Sequence, residues 1–236
     1  MIQINSVRHG FLSIPDLTIS PGMVAITGPN GSGKTTLLEM IAGIITPPGS
    51  ISIDGVDPRQ VTVGWVGEFP DCNMIFTRVF DEIASPLRFV QQPCEEIDAL
   101  VHGIAGLIGL TDQLDHPIRR LSGGQKVLAA LAAALINRPE VLILDETDSH
   151  LDATTLNTVD SIIRSAAVPY LLFATHRPDR VARADRVIVL QDGRVLREGT
   201  PDEIYQETLS RTRDHLTPLR LLRNPELWRA VYATDP

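Results

Sequence analysis

The sequence predicts an α/β fold in which a mixed β-sheet is flanked by helices. A glycine-rich loop at residues 28–36 lies between an apolar run at 24–26 and a helical pattern at 37–42. A second apolar run, 141–144, is continuous and ends in two acidic residues. Continuous apolar runs are typical of strands that are buried on both faces of a sheet. A strand, a glycine-rich turn and a helix in this order indicate a phosphate-binding core.

The remaining elements follow in order along the chain. Short strands are predicted at 3–7, 13–19, 23–27, 50–53 and 61–66. From about residue 79 to 136 the apolar pattern becomes helical. Another buried strand is predicted at 170–174, and the pair Asp192-Gly193 within residues 186–196 predicts a hairpin turn.

The loop at residues 28–36 fits the spacing G-x-x-x-x-G-K-[ST] of a phosphate-binding loop. Its glycines let consecutive backbone N–H groups turn toward a triphosphate, and the helix that follows presents its positive end to the same anion. We expect Lys34 to reach the β- and γ-phosphates and Thr35 to hold Mg²⁺. The alternative is a glycine-rich turn that binds nothing. The nucleotide contacts predicted in this loop are Asn30, Gly31, Ser32, Gly33, Lys34, Thr35 and Thr36.

Two carboxylates follow the predicted strand at 141–144. Ligands of parallel α/β sheets bind at the carboxyl ends of the strands, where Asp145 and Glu146 fall. We expect Asp145 to accept Mg²⁺ or its waters, and Glu146 to polarise an attacking water. The simpler alternative is a strand end followed by acidic surface residues. The phosphate-binding loop upstream favours the catalytic interpretation.

The pentapeptide Leu-Ser-Gly-Gly-Gln at residues 121–125 lies between these two motifs. Ser122 is suited to cap the helix that follows, and Gly123 and Gly124 expose N–H groups at its positive end, which makes a second anion site. Read alone, Ser-Gly-Gly is an ordinary helix start. The order of the three motifs resembles the nucleotide-binding subunits of ABC transporters, and the resemblance extends from residue 2 to about 204.

The resemblance implies a single ABC ATPase domain over residues 1–236. Its P-loop NTPase core, a mixed sheet flanked by helices with an N-terminal antiparallel β region, would occupy about 1–69 and 137–205. An inserted helical subdomain would span about 70–136, and a C-terminal tail about 206–236. The tail mixes apolar and basic residues, so it is either a dimer-stabilising segment or a helix packed on its own core.

Further site residues follow from the resemblance. His176 matches the switch histidine, which donates a hydrogen bond to the γ-phosphate and would act with Lys34 and Glu146 in catalysis. His9 and Phe11 lie where the family stacks an aromatic ring on adenine. Glu68 stands where the family has a metal-binding glutamine, and a carboxylate offers oxygen to Mg²⁺ but lacks the amide donor. The pentapeptide at residues 121–125, which matches the family's signature, and the loop after the acidic pair add Ser122, Gly123, Gly124, Gln125 and Asp152 to the nucleotide contacts.

Composition narrows the function classes. The formal net charge of -8 at pH 7 argues against a nucleic-acid partner. No apolar run approaches the length needed to cross a bilayer, and the N-terminus does not resemble a signal peptide. We therefore expect a cytoplasmic protein without direct membrane insertion. It would be peripheral at the cytoplasmic face of the cell membrane through an integral membrane transporter subunit.

Two functions remain open. In the first, two ATPase subunits, in a homo- or heterodimer, sandwich ATP and Mg²⁺ head to tail, and hydrolysis powers a membrane transporter. In the second, the chain is the regulatory, non-hydrolysing half of a heterodimeric ABC ATPase, which Glu68 and His9 favour. The presence of Lys34 and Glu146 favours the first. Residues 69–84 are similar to cobalt-type and energy-coupling-factor importer ATPases, which implies an importer.

Overall fold

The computed structural model describes residues 1–149 and 151–212, with the side chains of 153 and 207–212 excepted. Within them the strands are β1 (Ile2–His9), β2 (Leu12–Ile19), β3 (Gly22–Thr27), β4 (Ser50–Ile53), β5 (Val63–Val66), β6 (Val141–Asp145), β7 (Tyr170–Ala174), β8 (Arg186–Gln191) and β9 (Arg194–Gly199). The helices are α1 (Lys34–Ile41), α2 (Val79–Phe89), α3 (Cys94–Ile108), α4 (Gly123–Ile136), α5 (Ala153–Ala166), α6 (Pro178–Val181) and α7 (Pro201–Thr212). The described residues divide into a first compact unit, residues 1–60 and 170–212, and a second, residues 61–149 and 151–169.

An antiparallel sheet of strand order β2-β1-β4 forms part of the first unit. Ile2 on the central strand lies opposite Ile19 on β2 and Ile53 on β4, and all three side chains are buried. Apolar residues alternate with exposed ones along β1 and β2, as expected of strands with one face on the core. The predicted N-terminal antiparallel β region is therefore confirmed.

A mixed sheet of strand order β7-β3-β8-β9 forms the rest of the first unit's β structure. β3 pairs in parallel with β7 and β8, whereas β9 runs antiparallel to β8. The carboxyl ends of β3 and β7 therefore lie at the same edge of the sheet. β3 leads into the phosphate-binding loop and β7 leads into Thr175 and His176, so the sheet brings these two segments together.

The second unit contains the parallel pair β5 and β6, with Val66 opposite Leu144. Helices α2, α3 and α4 lie between these strands in the chain, as predicted for an inserted helical segment. Helix α4 lies close to β5, since a Cβ added at Gly64 would be 2.5 Å from the Ala134 carbonyl oxygen. The fully buried β6 ends at Asp145, which places the acidic pair at the carboxyl end of its strand.

The predicted fold class is confirmed, and the predicted strands agree with β1 to β5 within two residues at each end. The boundaries predicted for the core and the helical subdomain stay predictions. Most of the predicted tail, residues 213–236, lies outside the described residues. His150, in the loop between the acidic pair and Asp152, lies outside them as well. Among the residues that the structure describes, no helix combines the length and the apolar character needed to cross a membrane.

Candidate functional site

The phosphate-binding loop of the first unit depends on a glycine at its start. Gly28 has φ +153°, and a Cβ added there would lie 2.1 Å from the Leu190 carbonyl oxygen on β8. Any larger residue would have to displace backbone, because the neighbouring atom is a main-chain oxygen. The loop ends at Gly33, which precedes the first residue of α1.

Lys34 and His176, both predicted from the sequence, are in contact in the first unit. The Lys34 side chain is buried, and its Nζ donates to the carbonyl oxygens of Gly28 at 3.0 Å and Pro29 at 3.2 Å. The same Nζ lies 3.2 Å from His176 Nε2. A lysine ammonium has donors only, so Nε2 is the acceptor in this contact. The cation is thereby held at the mouth of the loop.

Ser32 supplies a test of whether this loop fits a phosphate group. Its side chain is 3% exposed, and its Oγ has no hydrogen-bond partner among the described residues. A buried hydroxyl without a partner costs free energy. A phosphate oxygen would accept a hydrogen bond from this hydroxyl, so the loop fits a phosphate group. Asn30, Gly31 and Thr35 are exposed around it, and Thr36 is half-buried.

Phe11 lies beside the same loop. A Cβ added at Gly33 would be 3.6 Å from Phe11 Cε2 and 2.5 Å from Leu12 Cδ1, so the absence of a side chain at Gly33 makes room for both. The Phe11 ring is nevertheless 59% exposed. His9 is also exposed and ends β1, opposite Leu12. An exposed ring next to a phosphate-binding loop is suited to stack on a base.

The acidic pair of the second unit shows backbone strain. Asp145 is buried at the end of β6, and Glu146 after it is half-buried with φ +50°. A left-handed conformation of a residue other than glycine costs about 1–3 kcal/mol and concentrates at functional sites. The Glu146 carbonyl oxygen accepts a hydrogen bond from Ser149 N at 3.2 Å. The turn thus places the backbone of Glu146 directly after the end of the strand.

The signature segment, residues 121–125, begins α4 with a capping box. Ser122 Oγ accepts from Gln125 N at 3.3 Å, and Gln125 Oε1 accepts from Ser122 N at 2.9 Å. The predicted cap is confirmed. Ser122 and Gly123 are exposed and Gly124 is half-buried, so the positive end of α4 is accessible.

Asp152 caps α5 as predicted. Its Oδ1 accepts from Thr155 N at 2.7 Å, and this backbone hydrogen bond holds the pKa of Asp152 below its ordinary value of 3.8. The side chain is exposed. Asp152 therefore presents a carboxylate at the N-terminus of α5, where the helix dipole favours negative charge.

Glu68 is half-buried and lies shortly after the end of β5. An ion pair joins the segment that follows Glu68 to α4. Lys126 Nζ lies 2.8 Å from Asp71 Oδ1 in an ion pair. Nearby, the buried Glu82 accepts from Ile75 N at 3.0 Å and Phe76 N at 2.8 Å. Sequence reasoning missed the Lys126–Asp71 ion pair, because two charges that are 55 residues apart carry no motif. It also missed the Glu82 contacts, because hydrogen bonds of this kind, from backbone N–H groups to a carboxylate, have no sequence signature.

Within the described part of the chain, no group of three or more His, Cys, Asp or Glu side chains could hold a metal ion. Mg²⁺ is commonly bound by one or two protein oxygen ligands together with substrate phosphates. The ligands predicted from the sequence, which are Thr35, Asp145 and Glu68, all offer oxygen atoms of the kind that Mg²⁺ binds.

Comparisons with known proteins agree with this geometry. Residues 12–149 match a family model described as ABC transporter. The energy-coupling factor transporter ATP-binding protein EcfA1 of Lactiplantibacillus plantarum is 38% identical over 202 residues, 80% of this chain and 72% of that protein. The structure of cbiO1 from Clostridium perfringens, part of the ABC transporter complex cbiONQ, is 27% identical with a TM-score of 0.77, and the match covers 97% of this chain and 98% of that one.

A second solved structure bears on the chemistry. It is an ATP-binding cassette in a dimeric, post-hydrolysis state bound to ADP and Pi, 25% identical with a TM-score of 0.76, covering 85% of this chain and 99% of that one. The similarity to energy-coupling-factor and cobalt-type ATPases predicted from the sequence is confirmed. The chain therefore belongs to the ABC transporter family as an ATP-binding subunit, and its similarity to the post-hydrolysis cassette supports ATP hydrolysis.

Proposed function

We propose that this chain powers an importer as one ATPase subunit of a dimer that sandwiches two Mg-ATP molecules. Its relatives include ATP-binding proteins named for energy-coupling factor transport and for Fe(3+) import. The single observation that carries the proposal is the contact of Lys34 Nζ with the loop carbonyls and with His176 Nε2. The contact places the Lys34 ammonium group and the His176 ring beside the phosphate-binding loop. In that loop the buried Ser32 hydroxyl has no hydrogen-bond partner among the described residues.

The phosphates would be bound by the loop from Asn30 to Thr36, with Lys34 exchanging its carbonyl partners for phosphate oxygens. Thr35, Asp145 and Glu68 are the proposed oxygen ligands of Mg²⁺. When bound, Mg²⁺ neutralises charge on the β- and γ-phosphates. Phe11 or His9 would stack on the adenine.

Hydrolysis is proposed to use Glu146 as the group that orients water and takes its proton. The water oxygen forms a bond to the γ-phosphorus while the bond from that phosphorus to the β–γ bridging oxygen breaks. Lys34 and His176 would stabilise the charge on the γ-phosphate through hydrogen bonds. For His176 this requires a proton on the ring nitrogen that faces the phosphate. The ring must therefore change from an acceptor toward Lys34 to a donor toward the phosphate.

The second surface is proposed to act on nucleotide held by another subunit. The positive end of α4 is formed by Ser122, Gly123 and Gly124, and Gln125 completes the capping box. Asp152 is proposed as a further contact to the same nucleotide. The proposed partners are a second ATPase subunit and an integral membrane transporter subunit. This arrangement would keep the chain in the cytoplasm at the face of the cell membrane.

The competing proposal is a regulatory subunit that binds nucleotide without hydrolysing it. The carboxylate of Glu68 favours it, because a half-buried negative charge would repel a γ-phosphate and offers no amide donor. Under that proposal the purified chain binds ATP, has no measurable turnover alone, and supports turnover only with a different ATPase subunit.

The test is Glu146→Gln measured against Glu140→Gln. Glu140 is exposed just before β6, so its substitution removes the same charge six residues away. We expect Glu146→Gln to keep ATP binding while turnover falls at least about a hundredfold, because a general base contributes about that much. Glu140→Gln should match the unmodified protein. Unchanged turnover in Glu146→Gln would remove Glu146 from this role.

A further inference from the structure

The turn between β8 and β9 contains a glycine that the motifs of the phosphate site do not include. The two-residue loop Asp192-Gly193 has φ +47° and +73°, as in a type I′ hairpin turn. A Cβ added at Gly193 would lie 2.3 Å from the Phe11 carbonyl oxygen and 2.7 Å from Phe11 Cδ2. Phe11 thus rests directly on a backbone position that has no side chain.

Gly193 joins two segments of the first unit by hydrogen bonds in opposite directions. Its N–H donates to the Ser32 carbonyl oxygen in the phosphate-binding loop at 3.2 Å. Its carbonyl oxygen accepts from Ser13 N, just after the Phe11 turn, at 2.7 Å. One residue therefore bridges the phosphate-binding loop and the turn that carries the exposed aromatic ring.

The hairpin also touches the loop at its other end. The Leu190 carbonyl oxygen lies 2.1 Å from the position of a Cβ at Gly28. The loop is therefore flanked by the hairpin at both Gly28 and Ser32. Phe11 is held from two sides, by Gly193 and by Gly33, and leaves its outer face to solvent.

We propose that Gly193 is a positioning residue that fixes Phe11 relative to the phosphate-binding loop, and so sets how strongly the adenine adds to ATP affinity. The inference rests on the proposed function, because it takes the loop to bind the triphosphate and Phe11 to bind the base. The atoms nearest an added Cβ all belong to Phe11 and not to Ser32. A substitution at Gly193 should therefore displace Phe11, the proposed contact of the base, more than Ser32 in the loop that binds the phosphates.

The test compares ATP with inorganic tripolyphosphate, which shares the phosphates but has no base, by calorimetry on the purified protein. Stacking on an aromatic ring strengthens binding between about fivefold and a hundredfold per base. We expect the unmodified protein to prefer ATP by such a ratio. In Gly193→Ala the ratio should fall toward one, while tripolyphosphate affinity changes less than about threefold.

Gly55→Ala is the matched control. Asp54 and Gly55 form another Asp-Gly turn with φ +50° and +82°, yet a Cβ at Gly55 meets nothing within 4 Å. The control therefore carries the same backbone strain without the contact to Phe11, and its ATP preference should equal that of the unmodified protein. Equal weakening of ATP and tripolyphosphate in Gly193→Ala would show a general loss of loop structure and overturn the proposal.

Phe11→Ala keeps the proposal falsifiable if Gly193→Ala does not fold. It should reduce the ATP preference as much as Gly193→Ala, and the double variant should lose little more, because both act on one contact. An unchanged preference in Phe11→Ala overturns the inference and leaves the proposed function standing. Binding of neither ATP nor tripolyphosphate to the unmodified protein overturns the proposed function and the inference together.

Discussion

The two compact units hold their functional residues by different means. Around the phosphate-binding loop of the first, main chain lies against main chain, since Leu190 O faces Gly28 and Gly193 N–H donates to Ser32 O, in addition to the hydrogen bonds from the Lys34 side chain. In the second, side chains hold the segments, through the Ser122–Gln125 capping box, the Asp152 cap and the ion pair of Lys126 with Asp71.

This difference determines how each unit can fail. A close approach between backbones leaves no space for an extra carbon atom, and neither salt nor pH changes that constraint. Contacts made by side chains tolerate substitution better, but the ion pair of Lys126 with Asp71 is screened by salt and the carboxylate cap of Asp152 depends on pH. The phosphate-binding loop should therefore be sensitive to added volume, and the charged side-chain contacts of the second unit to solution conditions.

The largest effect is expected for Gly28→Ala. The new Cβ would meet a backbone oxygen at 2.1 Å, so the loop or β8 must move. We expect ATP affinity to fall at least about tenfold, which corresponds to about 1.4 kcal/mol. Calorimetry measures the affinity, and thermal unfolding reports the accompanying loss of stability.

Gly109→Ala is the control for that experiment. Gly109 also has a positive φ, +71°, but a Cβ there meets nothing within 4 Å. Its ATP affinity should stay that of the unmodified protein. If both variants bind ATP equally well, the contact between Gly28 and β8 does not shape the loop, and the comparison of the two units loses its main support.

A smaller, pH-dependent effect is expected for Asp152→Asn. Asparagine caps helices about as well as aspartate, so the substitution removes the charge and keeps the cap. Because the folded-state pKa of Asp152 lies below 3.8, its charge stabilises the fold above the unfolded pKa, and this contribution is lost as pH falls through the folded pKa. Denaturant titrations from pH 5 to 2.5 should show a steeper loss in the unmodified protein. Parallel curves would contradict this assignment.

Motif spacing predicted the parts of the site that are local in sequence. The loop from Gly28 to Thr36, the cap at Ser122 and the Asp192-Gly193 hairpin each follow from neighbouring residues and their preferred backbone angles. The parallel strands placed the loop and His176 at one sheet edge, because carboxyl ends of parallel strands coincide.

Contacts between distant residues could not be predicted in this way. Lys126 and Asp71 are separated by 55 residues, and each alone is an ordinary surface charge. Gly193 looks like a hairpin glycine, and nothing in its sequence neighbourhood indicates that Phe11 rests on it. The positive φ of Glu146 is likewise invisible, since glutamate has no preference for that conformation.

The most direct test of the central claim, that two chains bind ATP between them, is the mass of Glu146→Gln in solution. By light scattering we predict a mass near that of one chain, 25.8 kDa, with ADP, and twice that mass with Mg-ATP. Ser122→Arg added to this variant should bind ATP yet stay at the lower mass, because the bulky cation blocks the exposed start of α4. A mass that stays at one chain in Mg-ATP, while calorimetry shows ATP bound, would contradict a sandwich made of two copies of this chain.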